Sequence, residues 1–293
     1  MPALAEAIFQ RKSVRLILDF DDAAHIKYSE YSLLRSKIPS LLRKADSVVV
    51  GNDYLRAYAA PFSRRISVIP TVVDIRRYPV RKIAAADGGI RIGWIGTPST
   101  GKFLRSLYPV FRALQAKFPF VRFRFIGAGP EIRGQGFAAE LVEWDEENEI
   151  SLLGDCDIGI MPLPDTEFTR GKCGLKLIQY MACSMPTVAS PVGANCAIVR
   201  DGETGFWATS ADDWLAKLAV LIEDRTLRIE FGNAGRSRVE KHYTLERGFA
   251  QWQEVLHPSY QMAPETIGGL TMSVEHRAIE MASRKCVEQR SAK

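Results

Sequence analysis

Short apolar runs alternate along the chain with longer segments in which apolar residues recur at helical spacing. Continuous short runs are typical of strands buried on both faces, and the longer segments are typical of amphipathic helices. The strand runs are residues 14–20, 47–50, 66–69, 90–95, 121–126, 157–161 and 187–190, and the helical segments are 31–44, 52–60, 104–117, 171–183, 212–223, 226–241 and 245–256. This alternation predicts an α/β fold with parallel sheets and helices on both faces. The acidic run at 143–149 interrupts it and is predicted to be a solvated loop.

A change of pattern divides the chain into two units. Apolar order is lost over residues 78–89, and a fresh strand run follows, which predicts a linker. Residues 1–80 hold only about three strand runs, few for an independent doubly wound domain, whereas residues 90–245 hold a complete α/β unit. We expect a separate helix at 245–257 and a loose tail at 258–293.

Composition places the chain among globular proteins and limits its partners. Of the 293 residues, 46% are hydrophobic and 25% are charged, and the net charge is +5. A mild positive charge suits a phosphorylated ligand, but no dense Lys/Arg stripe with interleaved aromatic residues appears, so we expect no nucleic-acid partner. No apolar run reaches transmembrane length, and contact with an anionic membrane surface stays open.

The histidines and cysteines indicate no metal site. The four histidines lack the spacing of metal ligands, and the five cysteines form no C-x-x-C pair. An odd number of cysteines in apolar settings predicts reduced thiols and a cytoplasmic protein.

Residues 154–193 carry the most informative local pattern: a strand, a loop broken by prolines, a helix, a turn and a second strand. The helix is predicted to begin near Gly171 and to end near Cys183. Its apolar stripe comprises Leu175, Ile178, Met181 and Ala182, and a second face comprises Lys172, Lys176 and Gln179.

Anion binding is the chemistry that this helix predicts. A helix N-terminus offers free N–H groups and partial positive charge. Gly171 and Gly174 would let a ligand approach the backbone, and Arg170, Lys172 and Lys176 add full positive charges. A buried helix with a solvated lysine face is the alternative, and this stretch alone does not decide between them.

Residues 96–102 match the G-x-x-x-x-G-K pattern of a phosphate-binding loop between a strand and a helix. Phe103 stands where such loops carry the Ser or Thr that holds Mg²⁺, so a nucleoside triphosphatase is disfavoured. Lys102 nevertheless lies at a strand-to-helix turn, where phosphates commonly bind.

Three strand ends are expected to meet on one rim. They carry Lys102, the glycines Gly127 and Gly129, and the 171–179 segment. Since ligands of such folds bind beyond the carboxyl ends of the strands, this rim suits a diphosphate flanked by a nucleoside and a sugar.

A D-x-D pair, Asp19 and Asp21, follows the first apolar strand run. It is compatible with a phosphatase of the haloacid-dehalogenase type or with a metal–nucleotide site. Neither hypothesis finds its downstream partners in the sequence. The remaining interpretation is that acidic residues line a cleft at the end of this strand.

A set of short motifs follows in order over about residues 14–256. They are ADSVVV at 45–50, VIPTVVD at 68–74, IGWIG at 92–96, DIGIMPLP at 157–164, GKCGLKLIQYMA at 171–182, PTVAS at 186–190 and DGETGF at 201–206. Each motif is weak alone, but as an ordered set they are specific. Through them the chain resembles the GT-B glycosyltransferases of the large retaining family 4 type, the group 1 glycosyltransferases.

The resemblance implies two Rossmann-like domains facing across a cleft, the first on the acceptor side and the second holding a nucleotide-sugar donor. The helix at 245–256 would cross back to the first domain. The implied reaction moves a hexose-type unit from a nucleoside diphosphate sugar to an unidentified glycan, lipid or small-molecule acceptor. It needs no metal or cofactor beyond the nucleotide-sugar co-substrate, because helix dipole and basic side chains stabilise the departing diphosphate. A cytoplasmic location is implied, with peripheral contact at the inner membrane face left open.

The resemblance also implies roles for individual residues. Lys102 matches the family's phosphate lysine, and Gln179 is expected to hydrogen-bond the ribose. The expected donor-binding residues are Gly96, Thr97, Lys102, Gly127, Gly129, Arg170, Gly171, Lys172, Lys176 and Gln179. The candidates for catalysis on the acceptor side are Asp21, Asp22 and His25.

Several positions depart from the family pattern. The two glutamates of its E-x7-E motif align on Gly171 and Gln179, and its usual arginine aligns on Thr97. Its first-domain histidine aligns near residues 19–22, and His25 is displaced from that place. The opening strands with their glycine-rich acceptor loop are missing, so we expect an N-terminally truncated form. A catalytically inactive nucleotide-sugar-binding protein or fragment is therefore the alternative hypothesis.

Overall fold

The computed structural model describes residues 15–80 and 89–257. Within these ranges the chain forms two wholly parallel sheets, and the predicted α/β class is confirmed. The first sheet has the order β1-β2-β3, with β1 Ile17–Phe20, β2 Ser47–Val50 and β3 Ile66–Val68. The second has the order β6-β5-β4-β7-β8-β9, with β4 Ile90–Ile95, β5 Val121–Ile126, β6 Ala139–Val142, β7 Ile158–Met161, β8 Thr187–Ala189 and β9 Gly205–Trp207.

Helices connect the strands and cover the sheets. In the first unit (residues 15–80) they are α1 Ala24–Ser29, α2 Lys37–Lys44 and α3 Asp53–Ala59. In the second unit (residues 89–244) they are α4 Pro98–Gly101, α5 Tyr108–Lys117, α6 Glu149–Gly154, α7 Glu167–Arg170, α8 Leu175–Ala182, α9 Asn195–Ile198, α10 Ala211–Glu223 and α11 Arg225–His242. The helix α12, Leu245–Leu256, follows. Short 3-10 segments lie at Ile75–Arg77, Lys102–Leu107 and Pro130–Ile132.

The strand order of the second sheet reverses at β4. Ile92 of this strand lies opposite Phe123 of β5 on one side and opposite Ile158 of β7 on the other. In open parallel sheets, ligands bind beyond the carboxyl ends of the strands at such a reversal. The carboxyl end of β4, where Ile95 is followed by Gly96, is therefore the place to look for a site.

Aromatic packing holds one face of the second sheet rigid. The ring of Phe111 on α5 lies 4.5 Å from that of Phe123 and 5.6 Å from that of Phe125, and all three are buried. Each buried side chain of this size contributes about 1.5–3 kcal/mol. This packing fixes the strands whose ends build the site.

The helix α12 crosses back from the second unit to the first. At its start, Val73 donates its backbone N–H to Tyr243 O at 2.9 Å. Near its end, Val255 packs in one cluster with Val49 and Ile69 of the first unit. These contacts at its two ends tie the two units together.

Some predicted boundaries are wrong. The helix predicted from Gly171 begins at Leu175. Gly174 has φ +74°, a left-handed conformation through which the helix cannot extend towards Gly171. Leu175, assigned to its apolar stripe, is 44% exposed. The helix predicted over 31–44 begins at Lys37. The sequence interpretation also missed β6 and α6, which flank the acidic residues interpreted as a loop.

The predictions on the cysteines, the linker and the tail have different outcomes. Cys156, Cys173 and Cys183 are reduced, but Cys196 is disulfide-bonded, which corrects the expectation of reduced cysteines at that position. Most of the predicted linker and the predicted tail at 258–293 lie outside the described residues.

Candidate functional site

Two glycines form the floor of a depression at the carboxyl ends of β4 and β5. Gly96 continues the ladder by donating its N–H to Ile126 O at 3.0 Å. Gly127 has φ +70°, and a Cβ there would collide with the carbonyl oxygen of Gly96. A Cβ on Gly96 would in turn overlap the Lys176 amine and the Trp94 ring. The absence of a side chain at Gly96 is what allows the Lys176 amine to reach this edge of the sheet.

Lys176 on α8 places a buried amine above this floor. Its Nζ lies 4.1 Å from the ring centroid of Trp94 and 3.5 Å from Thr100 Oγ1. Burial, and then the positive charge of Lys172, lowers the pKa of Lys176 to about 7. Among the described residues, no carboxylate lies within ion-pair distance of this amine. An anion entering the depression would favour its charged form.

Gln179 lies three residues further along α8 and is committed to a network. Its Nε2 donates to Tyr78 Oη and to Glu149 Oε1, both at 3.3 Å. Trp144 donates its indole N–H to the other carboxylate oxygen, Glu149 Oε2, at 2.8 Å. Since an ionised carboxylate only accepts, the amide NH2 of Gln179 must face it. The group that this network presents outward is the carboxylate of Glu149.

The segment between α7 and α8 enters the first unit. Asn52 donates its Nδ2 to Gly171 O at 3.0 Å and to Lys172 O at 3.2 Å. Cys173 Sγ donates to Asp21 O at 2.8 Å, and its side chain belongs to the apolar cluster of the first sheet. Burial raises the pKa of the Cys173 thiol to about 12, so it stays protonated. These contacts fix the segment against the first unit.

Gly171 is packed where no side chain fits. A Cβ on Gly171 would lie 2.5 Å from the Cβ of Ala23, which follows the acidic pair of the first unit. The position that aligns with the family's first glutamate is therefore closed by the first unit.

The two basic side chains of this segment are paired with carboxylates. Arg170 Nε lies 2.7 Å from Asp165 Oδ1, and Lys172 Nζ lies 3.3 Å from Asp22 Oδ1. The pairing with Asp165 raises the pKa of Arg170 further. A ligand phosphate would have to compete with these partners for either charge.

The three candidates for catalysis on the acceptor side have different environments. Asp21 and Asp22 are exposed after β1. His25 stacks on Tyr58 at 3.6 Å between ring centroids, with its Nδ1 buried and unpaired, and burial lowers its pKa. Burial and the charge of Asp21 raise the pKa of Asp19. Asp22 contacts the second unit through its side chain, which pairs with Lys172, and Asp21 does so through its backbone carbonyl, which accepts from Cys173 Sγ.

The remaining predicted donor residues surround the start of α4. Thr97 caps this helix in a reciprocal arrangement with Thr100. Lys102 follows α4 with its side chain exposed and its Nζ 5.5 Å from the Phe103 ring centroid. Gly129 lies against the carboxylate of Glu131. The depression thus gathers Gly96, Gly127 and Lys176, and Gly129 lies beside Gly101 at the end of α4.

Four residues of the depression escaped the sequence interpretation: Tyr78, Thr100, Trp144 and Glu149. Trp144 and Glu149 stand inside an acidic run that was interpreted as solvated loop. Recognising the strand β6 would have placed both at the carboxyl edge of the sheet, beside Gly127.

The described ranges contain neither a metal-binding cluster nor a membrane-spanning helix. Within residues 15–80 and 89–257, no group of three or more His, Cys, Asp and Glu side chains is arranged to hold a metal ion. In the same ranges, no helix has the length and apolar character needed to cross a membrane.

Comparisons with known proteins identify the fold class. The structure of Anabaena HepE in complex with UDP-glucose aligns with a TM-score of 0.71 at 17% identity, covering 87% of this chain and 75% of that one. Sucrose-phosphate synthase from Thermosynechococcus elongatus aligns with a TM-score of 0.67 at 18% identity, covering 87% and 70%. The chain has the GT-B fold of these glycosyltransferase structures, as the motif resemblance implied.

The sequence similarities lie mainly in the second unit. Residues 89–224 match the family model described as glycosyl transferases group 1. Phosphatidyl-myo-inositol mannosyltransferase of Propionibacterium freudenreichii is 33% identical over 138 residues, 42% of this chain and 34% of that protein. N-acetyl-alpha-D-glucosaminyl L-malate synthase of Bacillus anthracis is 25% identical over 114 residues, 38% and 29%. These matches span about a third of each relative. Residues 89–224 are therefore similar in sequence to the group 1 glycosyltransferases.

Proposed function

We propose that the protein transfers a sugar from a nucleoside diphosphate sugar to an acceptor that the sequence does not identify. The observation that carries this proposal is the buried Lys176 amine, held over the glycine floor with no carboxylate partner in residues 15–80 and 89–257. A buried, unpaired amine is unfavourable until an anion joins it. The diphosphate of the donor is the anion that suits this place, beyond the carboxyl end of β4.

Lys176 is the main group proposed to act on the leaving diphosphate. Its charged amine would attract the phosphate oxygens as the bond to the sugar breaks. This attraction would be strongest in a site that holds little water. Thr100 Oγ1, 3.5 Å from the amine, accepts from it and would hold it towards the same oxygens. Lys102 would add charge from the outer side. With these groups in place, we propose that the reaction needs no metal ion and no cofactor.

The two units are proposed to divide the work. The second unit would hold the donor, and the exposed Asp21 and Asp22 would line the acceptor side of the cleft. The pair of Lys172 with Asp22, 3.3 Å apart, then lies where the two substrates meet. Retention of the anomeric configuration is proposed from the family resemblance.

The acceptor is left as a glycan, a lipid or a small molecule. The names of the relatives point to different acceptors, a phosphatidyl-myo-inositol in one and L-malate in the other. A location in the cytoplasm, with peripheral contact at the inner face of the membrane, is proposed only as compatible with such acceptors.

A donor screen tests the proposal. Saturation-transfer NMR with UDP-glucose, GDP-mannose and ADP-glucose should show one nucleotide sugar bound, with signals lost on addition of the matching nucleoside diphosphate. Slow release of free sugar from that donor would show that the site activates the bond. Absence of binding by all three donors at millimolar concentration would contradict the proposal.

One observation favours the alternative of a non-catalytic nucleotide-sugar-binding protein. The position of the family's first glutamate is Gly171, and the contact with Ala23 leaves no room there for an acidic side chain. Binding of a donor with neither hydrolysis nor transfer to glycan, lipid and small-molecule acceptor mixtures would support this alternative.

A further inference from the structure

We propose that Glu149 and Trp144 form the nucleoside-binding part of this site. Glu149 would accept hydrogen bonds from the ribose hydroxyls, and the base would stack on the Trp144 ring. The inference rests on the proposed function, because it assigns two further residues to the same donor site.

Trp144 lies directly beside the glycine floor. It follows β6, the neighbour of β5, and a Cβ on Gly127 would lie 3.1 Å from the Trp144 Cβ. The indole is 52% exposed, which is unusual for so large an apolar side chain at a sheet edge. A ligand whose phosphates occupy the floor would therefore meet this ring next.

Glu149 holds the ring and keeps acceptor capacity for a ligand. Its Oε2 accepts from Trp144 Nε1 at 2.8 Å, and its Oε1 accepts from Gln179 Nε2 at 3.3 Å. Each carboxylate oxygen carries two lone pairs, so each can accept one more hydrogen bond. Two neighbouring hydroxyl groups of a ribose match the two oxygens of a carboxylate. Gln179 is buried, and its N–H groups already donate to Tyr78 and Glu149. The Glu149 carboxylate would therefore bind the ribose hydroxyls in place of Gln179.

The network is fixed before a ligand arrives. Gln179 is 5% exposed and its second N–H is bound by Tyr78 Oη at 3.3 Å. The carboxylate and the indole therefore lose little side-chain freedom on binding, which favours affinity.

Charge sets the direction in which a nucleotide would lie. The loop around Trp144 carries Glu143, Asp145, Glu146 and Glu147, which disfavour phosphate there. Lys176 lies three residues before Gln179 on α8, a separation of about 5–6 Å between side-chain bases. One nucleoside diphosphate can therefore place its phosphates on Lys176 and its neutral nucleoside on Trp144 and Glu149.

Calorimetric titration tests the assignment. UDP, GDP, ADP, their 2′-deoxy counterparts and inorganic pyrophosphate are titrated into wild type, Glu149→Gln, Glu149→Ala and a matched control, Glu147→Gln, from the same loop. Wild type and Glu147→Gln should bind the preferred ribonucleotide at least about tenfold more tightly than its 2′-deoxy form. Both Glu149 variants should lose most of that ratio, while their affinity for pyrophosphate stays unchanged and so reports an intact fold.

A second variant tests the ring. Trp144→Leu should weaken the nucleoside diphosphate by about tenfold and leave pyrophosphate unaffected. If wild type binds a nucleoside diphosphate but the Glu149 variants keep the full ratio, the assignment of Glu149 is overturned while the proposed function stands. If wild type binds none of the three diphosphates, both are overturned.

Discussion

The amine of Lys176 on α8 lies 4.1 Å from the ring centroid of Trp94, near the carboxyl end of β4 in the second unit. A ring face attracts a cation, and that attraction partly offsets the cost of burying the charge. It does not replace a counter-ion, because the pKa of Lys176 is still lowered to about 7. The pair therefore describes a site that is ready for an anion.

Replacing Lys176 by Met should separate binding from stability. The affinity for UDP-glucose, or for whichever donor the screen identifies, should fall by about 1–3 kcal/mol because one charge-assisted contact is lost. The free energy of unfolding without ligand should rise, because the variant no longer buries an unpaired amine. Calorimetry and thermal unfolding measure the two effects. Lys217→Met is the matched control, since Lys217 also lies over a ring, 4.7 Å from Phe206, but on α10; an equal loss of affinity in both variants would contradict the assignment.

Stability should depend on pH through the same amine. The pKa of Lys176 falls from 10.5 to about 7 on folding. Between these values the unfolded chain binds more protons at this residue, so its contribution to the free energy of unfolding should rise with pH through this window. The measurement is the difference in unfolding free energy between wild type and Lys176→Met as a function of pH. A difference that stays flat from pH 7 to 10.5 would contradict the shift.

Donor binding should take up a proton above neutral pH. The diphosphate favours the charged amine, so binding raises the pKa of Lys176 again. Calorimetry at pH 8 in two buffers of different ionisation enthalpy counts this proton. A nucleotide sugar is the right ligand, because its diphosphate lacks the terminal phosphate group that would itself titrate. Proton uptake that persists unchanged in Lys176→Met would assign it to another group.

Gly171 and Ala23 should prove to be a complementary pair. Gly171→Ala places a Cβ 2.5 Å from that of Ala23 and should destabilise the protein by about 1–3 kcal/mol. Ala23→Gly combined with Gly171→Ala should recover part of the loss, because the second change removes the colliding atom. Thermal unfolding of both single variants and the double variant gives the coupling energy. Strictly additive effects would show that the two residues do not touch in solution.

Asn52 joins two roles that substitution can divide. Its Oδ1 caps α3 by accepting from Leu55 N at 3.0 Å, and its Nδ2 donates to carbonyls of the segment before α8. Asn52→Asp keeps the cap but loses the donors, and it places a charge against Gly171 O and Lys172 O. Asp should therefore be at least as destabilising as Ala, about 1–3 kcal/mol by denaturant unfolding. If Asp is tolerated as well as Asn, the contact with the second unit carries no free energy.

Much of the fold could be predicted from periodicity alone. The strands β2 and β7 are buried along their whole length, and their sequences SVVV and IGIM are almost continuously apolar, so their signal is strong. The apolar residues of β4 and β5 keep that signal although arginines stand among them. The two edge strands have a weaker sequence signal. β6 is half exposed and has the sequence AELV, and β9 is only three residues long. The predicted start of α8 was wrong because Gly174 has a positive φ and keeps residues 171–174 out of the helix. The spacing of apolar residues carries no information about that backbone conformation.

The candidate site was predictable only in part. Residues that follow recognisable strands, such as Gly96 and Gly127, could be placed from the sequence. The network of Trp144, Glu149 and Gln179 joins a loop to a helix 30 residues away, and only the three-dimensional contact reveals it. The commitment of Lys172 to Asp22, 150 residues apart, is likewise invisible in sequence.

The most direct test of the central claim is a crystal structure of the protein with UDP at saturating concentration. The diphosphate is expected over Gly96, within hydrogen-bonding distance of Lys176 Nζ, with the uridine towards Trp144. A nucleotide bound elsewhere on the chain, with the Lys176 amine still lacking an anionic partner, would contradict the account.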